Sequence, residues 1–349
     1  MIILIFLLAL SLAGIFKIDK KLEYLFWVVS FLVLFLFSGL RYDVGMDFSG
    51  YEELYNDSLY SVNSEINELG WAYLFYGCRN IGLPFSMVIL VISFFTIYSA
   101  FVFIKRYSPY PFLSILIFFC FAQYYTYTFN AIRQCLVGYI FLLSLKYIEE
   151  RNMIKYFVSI GLTFFFIHTS AVILLPLYFF IHRFYPLYIK LGLIAVFLLG
   201  ARFFIILIAS SPTYKIYLTL EQYAEEIKIT SYLLIFIAFI LLVLDSYIKD
   251  RTPQKNILFN ISYLFLLCLT IACFFAGTPL VIVFMRLAFY FTPVLMVLLP
   301  WIVQRLFKGR SRYVIIFLIS IIYAVLFCYT TTTGGEKNKL LPYKTIFSK

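Results

Sequence analysis

Apolar residues run along the chain in long blocks, parted by short polar and basic segments. A helix needs roughly 20 apolar residues to cross about 30 Å of hydrocarbon. Blocks of that order occupy 22–40, 85–104, 110–129, 131–148, 187–208, 231–248, 256–275, 280–303 and 313–330, preceded by a shorter one at 1–16. Each predicts a membrane-spanning helix. The first, Met1 to Phe16, resembles a signal-peptide core. It lacks a basic leader and a small-residue cleavage site, and another span follows at once, so it reads as a retained helix.

The segments between blocks carry Lys17/Lys20/Lys21, Lys105/Arg106, Lys146/Arg151/Lys155, Arg183/Lys190, Lys249/Arg251/Lys255 and Arg305/Lys308/Arg310/Arg312, together 17 of the 28 Lys and Arg. Such clusters mark the cytoplasmic ends of membrane helices. All six share that side only if the N-terminus faces outward. The loops 41–83 and 209–230 and the tail 331–349 then lie outside too. One segment strains the pattern, because the 27 residues between Lys155 and Arg183 are too few for two full spans. The run IGLTFFFIHTSAVILLPLYFF therefore predicts two short helices meeting near His168, Thr169 and Ser170, as a re-entrant or thin hairpin. One long tilted helix is the alternative. Irregular backbone at that depth survives only under protein or beside a water-filled cavity. The expected fold is all-α: a polytopic transmembrane bundle of about twelve helices, one integral membrane domain over 1–349, with N- and C-termini outside and no internal repeat.

Composition narrows the class further. The 349 residues are 64% hydrophobic and 13% charged, with a mean hydropathy of +0.97, against about 45–50% and about 25% in soluble domains. A cytosolic enzyme, a disulfide scaffold and a disordered chain are excluded. The net charge of +11 is scattered through the short basic clusters, so it reports topology and not a nucleic-acid partner. The six cysteines show no CxxC or zinc-ligand spacing and read as small buried thiols.

Seven basic residues remain outside these clusters and the tail: Lys215 and Lys228 in the second outer loop, and Arg41, Arg79, Arg133, Arg202 and Arg286. An arginine inside a span costs at least ~2.5 kcal/mol on insertion scales, so it faces the bundle interior and finds a partner. Snorkelling to the outer interface accounts for Arg41, Arg79 and Arg133; it fits Arg202 and Arg286, two turns inside their helices, less well. The guanidinium fork binds phosphate oxygens bidentately. Several around one outward cavity suit an anionic lipid-linked ligand, a polyprenyl diphosphate above all. Salt bridges to Asp43 or Asp47 are the competing explanation.

The loop 41–83 carries seven acids and opens RYDVGMDFSGY. Gly45 permits a turn that brings Asp43 and Asp47 toward Arg41. Tyr51 to Tyr60 has a helical pattern. Leu69 to Gly82 reads as an interfacial amphipathic helix anchored by Tyr73, Phe75 and Tyr76. Of the two histidines, His182 falls at the cytoplasmic edge. His168 sits at the hairpin break, where it either bonds a carbonyl or faces water, binding sugar hydroxyls or moving a proton.

Taken as a set, these pieces resemble the EpsG-like, Wzy-type polysaccharide polymerases. RYDVGMDFSGY at 41–51 matches their R-x-x-x-G-x-D-[YF]-x-x-Y loop, and N-x-x-R recurs at Asn130–Arg133, followed by KYIEERNMIKYF at 146–157. FFIHTSAVILLP (165–176), RLAFYFTP (286–293) and LPYKTIF (341–347) are similar to the family's histidine segment, late arginine helix and closing tail. The family's usual threonine after the loop glycine is Met46 here, which puts a role for a hydroxyl there in doubt.

The resemblance implies a multi-pass enzyme of the bacterial cytoplasmic (inner) membrane, its active site facing the periplasm or exterior. It would transfer a growing glycan from undecaprenyl diphosphate onto the next lipid-linked repeat unit. The products are O-antigen of lipopolysaccharide, capsule or exopolysaccharide. In Gram-negative cells such an enzyme follows a flippase and works beside a chain-length regulator. It implies no cofactor and no metal. Arg286 and Arg133 are then the diphosphate contacts, with Arg202 in reserve and Arg41 and Asp43 at the loop, Arg41 holding either the loop or a phosphate. Asp47 or His168 is the base. Tyr51 and Tyr343 either stack on or bond to sugar, or pack.

Other readings share these residues. A GT-C-like transferase would use Asp43 and Asp47, four apart, on a metal, though a second oxygen-rich ligand set is missing. An O-antigen ligase uses the same donor with a lipid A-core acceptor. A lipid-linked glycan transporter or flippase would show broken helices in both halves, and the sequence shows one break, at His168.

Overall fold

The computed structural model describes residues 1–14, 19–57, 68–200, 203, 206, 229–250, 252–336 and 338–348. Among them there is no β-strand, only one isolated antiparallel bridge between Arg41 and Thr345. Five helices are long and apolar enough to cross a membrane: Lys20–Gly39, Phe85–Tyr107, Pro253–Phe274, Leu280–Leu306 and Gly309–Gly334. The chain is an all-helical, polytopic membrane protein. Arg202 and most of the second outer loop, 209–230, lie outside the described residues.

The fold divides into two compact units. The first comprises Met1–Lys146, Ile154–Leu175 and Leu295–Lys349. At its centre is Pro111–Cys120, started by a proline at its first turn and buried at every side chain from Phe112 onward. Ile2–Ala13, Leu295–Leu306 and Gly309–Gly334 pack around it, and a hydrogen bond of 2.8 Å joins Ser11 Oγ to Ser320 Oγ. Lys20–Gly39 lies along Phe85–Tyr107, with Gly39 so close that a Cβ would meet Leu90 Cδ1 at 2.7 Å.

The apolar block 110–129 predicts one span, yet its helix ends at Cys120 and only a 3₁₀ turn, Thr126–Phe129, follows. The reason lies in the residues FAQYYTYTF. They count as largely apolar, but their hydroxyls compete for backbone. Thr126 Oγ1 donates to Ala122 O at 3.0 Å and Thr128 Oγ1 to Tyr125 O at 2.6 Å. The hydroxyls of Tyr125 and Tyr139 then tie the segment to Leu34 O and Tyr124 O. Protein covers this non-helical stretch, as membrane depth requires. The block 280–303 is likewise interrupted, by a 3₁₀ turn at Thr292–Val294 around Pro293, and breaks are therefore not confined to His168.

The predicted hairpin has its break where expected. Met153–Phe166 ends in an extended His168, and a six-residue 3₁₀ helix, Thr169–Leu174, returns along it. Tyr156 near the start of the first arm donates to Leu174 O at 2.6 Å. The second arm thus begins as 3₁₀, and a single α-helical turn, Leu177–Phe180, follows Pro176. The 3₁₀ stretch rises about 2 Å per residue against about 1.5 Å, so fewer residues cover the return.

Helix Phe85–Tyr107 shows how charge is sorted in this unit. At one end Phe85 packs against Phe48, Tyr55 and Phe75 of the outer-loop helices. Twenty residues on, about 30 Å away at the helical rise, Lys105 and Arg106 share a hollow of about 240 Å³ with Lys146. The loop after Lys20–Gly39 and the cations Lys105, Arg106 and Lys146 occupy opposite ends.

The second unit comprises Tyr147–Met153 and Pro176–Val294. Pro253–Phe274 packs against Leu187–Leu199, Ile229–Tyr247 and Leu280–Phe291. Lys190 and Lys255, expected as orienting surface charges, are buried instead. Lys190 Nζ meets Asp245 Oδ2 at 2.6 Å, Lys255 bonds Asp245 Oδ1, and its Nζ also reaches Asp245 O at 3.1 Å. Asn260 Nδ2 donates to Ile181 O and Arg183 O nearby. One carboxylate thus gives each of the two buried cations an opposite charge in contact.

Candidate functional site

One end of the first unit is assembled from the loop after Lys20–Gly39, two short helices, and the breaks at 121–131 and 167–168. Gly45, at φ +101°, makes the turn after Arg41. A side chain there would collide with Phe129 O at 2.8 Å and Asn130 Oδ1 at 2.9 Å, so glycine is required twice over. The turn lets the Met46 amide donate to Asn130 Oδ1 at 2.7 Å. Met46 makes this contact with backbone, while its side chain is 55% exposed. Asn130 thus holds the loop, and Arg133 stands one helical turn later at the start of Ile132–Glu149.

Helices Phe48–Asn56 and Leu69–Asn80 cover this end with an apolar cluster of Phe48, Tyr51, Tyr55, Trp71, Phe75 and Phe85. Phe75 is 1% exposed and belongs to that core. Of the three expected interfacial anchors, Tyr73 is the exposed one. Leu69–Asn80 begins against the hairpin break, because Gly70 leaves no side chain between the helix and the backbone of Phe165 and Phe166.

This approach delivers Glu68, the residue before the helix, to His168. Glu68 Oε1 lies 2.6 Å from His168 Nδ1 and accepts from Thr169 N at 2.9 Å and Thr169 Oγ1 at 2.7 Å. Its other oxygen takes Arg133 Nη1 at 2.9 Å. Burial alone would raise the Glu68 pKa. The hydrogen bond and charge of His168, the charge of Arg133 and the Thr169 amide outweigh it and hold the carboxyl down to about 2. Arg133 also lies over the Tyr51 ring, 5.9 Å from its centroid, and bonds the Tyr51 side chain. Burial raises the Tyr51 pKa, with Arg133 opposing and Asp47 adding to the rise.

Arg133, His168 and Tyr51 are therefore brought together, joined by a residue that sequence reasoning missed. Glu68 was visible only as one of seven acids in the loop. Nothing local marks a contact with a residue 100 positions away.

Arg41 and Tyr343 form a different constellation. Arg41 is 2% exposed. Its Nη1 donates to Ser38 O at 2.5 Å and Ser93 Oγ at 3.2 Å, and the guanidinium covers the Phe129 ring at 4.8 Å. Tyr343 stacks on Phe37 at 4.1 Å and bonds Phe37 O. Between them the tail pairs with the loop: Tyr42 N donates to Lys344 O, Ile346 N to Leu40 O and Gly45 N to Lys339 O, each at 3.0 Å. Asp43, at φ +49°, faces Lys344 Nζ at 3.8 Å. Asp47 is exposed at the start of Phe48–Asn56, its carbonyl accepting from Tyr51 N at 3.1 Å. Among the described residues no three His, Cys, Asp or Glu converge as a metal-ligand set.

Arg286 belongs to the second unit, exposed two turns into Leu280–Phe291. Arg202 is outside the described residues.

Comparison with known proteins gives one match. The model of the EpsG family matches residues 24–345. No curated protein and no solved structure matches the chain.

Proposed function

The chain belongs to the EpsG family, and we propose that it polymerises lipid-diphosphate-linked oligosaccharide repeats at the outer face of the bacterial cytoplasmic membrane. The donor is a glycan on undecaprenyl diphosphate, and the acceptor is a hydroxyl of the next lipid-linked repeat. The observation that carries the reading is the shared carboxylate of Glu68, which sets a proton acceptor, His168, beside a phosphate-binding cation, Arg133. The cluster lies at the end of the first unit opposite Lys105, Arg106 and Lys146, and a cytoplasmic side for those cations would turn the site outward.

In the reaction the acceptor oxygen attacks the anomeric carbon of the donor glycan. A C–O bond to the acceptor forms, and the C–O bond to the lipid diphosphate breaks. The acceptor proton passes to His168, and the leaving diphosphate carries away the bonding electrons. Arg133 stabilises the charge developing on that leaving group; Arg286, in the second unit, is a separate candidate for diphosphate contact. Asp47 is the competing base; its exposed position lacks the fixed partners that surround His168. Arg41 and Tyr343 hold the loop and tail in place, Asp43 tethers the tail, and Tyr51 supports Arg133.

The reaction uses no metal, so EDTA leaves activity intact; complete inhibition reversed by a divalent cation would favour the GT-C-like alternative. Helix breaks no longer weigh against a transporter, since the described residues show three, near 121–131, at 167–168 and at 292–294. A fixed proton acceptor weighs for an enzyme. Gene deletion tests the function directly: surface glycan should collapse to single repeats on the lipid, and a normal ladder of lengths would sink the proposal. Arg133→Ala and Arg286→Ala should give the same single-repeat band with the protein still in the membrane. A flippase would supply the substrate, and a chain-length regulator would set the ladder.

A further inference from the structure

We propose that Glu68 is the positioning residue of this site: it fixes His168 in the tautomer that carries its proton on Nδ1, leaving Nε2 bare to take a proton, and locks Arg133 at a set distance from it. The catalytic part of this statement rests on the polymerase reading; the tautomer does not.

The argument starts from what a carboxylate can do. Ionised, it only accepts hydrogen bonds. A neutral imidazole 2.6 Å from Glu68 Oε1 through Nδ1 must therefore carry its proton on that nitrogen. The lone pair is then on Nε2, at the far side of the ring. Free imidazoles in water favour the opposite arrangement, so an unassisted His168 would more often present a hydrogen where an acceptor is needed. Holding a histidine in the productive tautomer is worth orders of magnitude where a carboxylate does so in hydrolases.

Glu68 is not itself the base. Oε1 already receives three donors, from His168, Thr169 N and Thr169 Oγ1, and Oε2 receives Arg133. With four donors on its two oxygens the carboxyl stays ionised at neutral pH. What it offers is rigidity: its side chain is 18% exposed, and both oxygens are committed.

The two-oxygen grip has a second consequence. The base and the cation are attached to one rigid group, so a diphosphate on Arg133 and a hydroxyl at His168 Nε2 are held in fixed register. This is the orientation term that separates kcat from KM.

The chain has two histidines, His168 and His182, so ¹⁵N-histidine NMR of the full-length protein in nanodiscs resolves the question with two ring signals, assigned by a His182→Gln variant. In alkaline buffer, where imidazoles are neutral, His168 should show a protonated Nδ1 and a bare Nε2. Glu68→Ala should shift it toward the Nε2–H form. A wild-type Nε2–H form, or a spectrum unmoved by Glu68→Ala, overturns the proposal.

The second arm is turnover of a purified lipid-linked single repeat. Glu68→Ala should lower kcat by about 10²–10⁴-fold, the usual worth of positioned acid–base catalysis, with a much smaller change in KM. Should the alanine variant fail to fold, Glu68→Gln keeps the shape and drops the charge, and its kcat should fall at least tenfold. Wild-type kcat in Glu68→Gln overturns the proposal. If wild-type protein elongates no lipid-linked repeat, the polymerase reading falls, while the NMR signals still decide the tautomer.

Discussion

A methyl group placed on Gly70 would sit 1.6 Å from the carbonyl oxygen of Phe165. The neighbour is backbone and cannot rotate away. Gly70→Ala must push Leu69–Asn80 off the hairpin break, and Glu68 with it. Overpacking of this kind costs ~1–3 kcal/mol or more. The expected outcome is a lower Tm together with loss of the Glu68–His168 contact, read as the same histidine NMR change that Glu68→Ala gives. Gly77→Ala, with open space around its Cβ position, is the control and should leave both unchanged.

Stability should depend on acid in a defined window. The folded Glu68 carboxyl lies near 2, below its ordinary 4.5. A depressed carboxylate pKa stabilises the folded state above the unfolded value, and that contribution is lost as pH falls through the interval toward the folded one. Thermal unfolding in detergent should therefore be flat in this respect above about pH 4.5 and weaken between there and about pH 2. Glu68→Gln should remove that part of the slope.

Arg41 and Arg133 should fail differently. Arg41→Ala empties a buried position bonded to Ser38 and Ser93 and covered by Phe129, so yield and Tm should drop. Arg133→Ala leaves a partly open position, and the folded protein should accumulate normally with single-repeat glycan. Measuring both membrane abundance and ladder length separates the two.

In the second unit the carboxylate is the vulnerable member. Asp245→Asn takes the carboxylate away from two buried lysines, and breaking a buried pair costs ~3–5 kcal/mol. Lys190→Met leaves one lysine on one carboxylate and should be tolerated far better. Unfolding of the two variants in the same detergent provides the comparison.

Met46→Thr, which restores the hydroxyl of the resembled motif, should leave polymerisation unchanged. The residue's contribution is its amide on Asn130 Oδ1. Asn130→Ala removes that acceptor and should loosen the loop, read as faster proteolysis between 41 and 57.

Much of this was legible in the chain. Apolar blocks placed the long helices, and the short interval between Lys155 and Arg183 placed the break at His168, because rise per residue is fixed. What escaped was whatever depends on a partner distant in sequence. The tyrosine-rich segment after Cys120 counts as apolar by composition, yet its hydroxyls unwind it. Lys190 and Lys255 read as surface charges until Asp245 is folded against them. Arg41 looked outward by position and points inward because Ser38 and Ser93 wait for it. Glu68 carries no local mark of its role, since its meaning is supplied by Gly70 and by a break 100 residues on.

The clasp between the loop 40–45 and the stretch 339–346 ties two distant parts of the chain together. Leu40, Tyr42 and Gly45 each take a backbone partner from residues some three hundred positions later, Ile346, Lys344 and Lys339. A change of backbone in 339–346 is therefore also a change at the loop 40–45, although some three hundred residues separate the two.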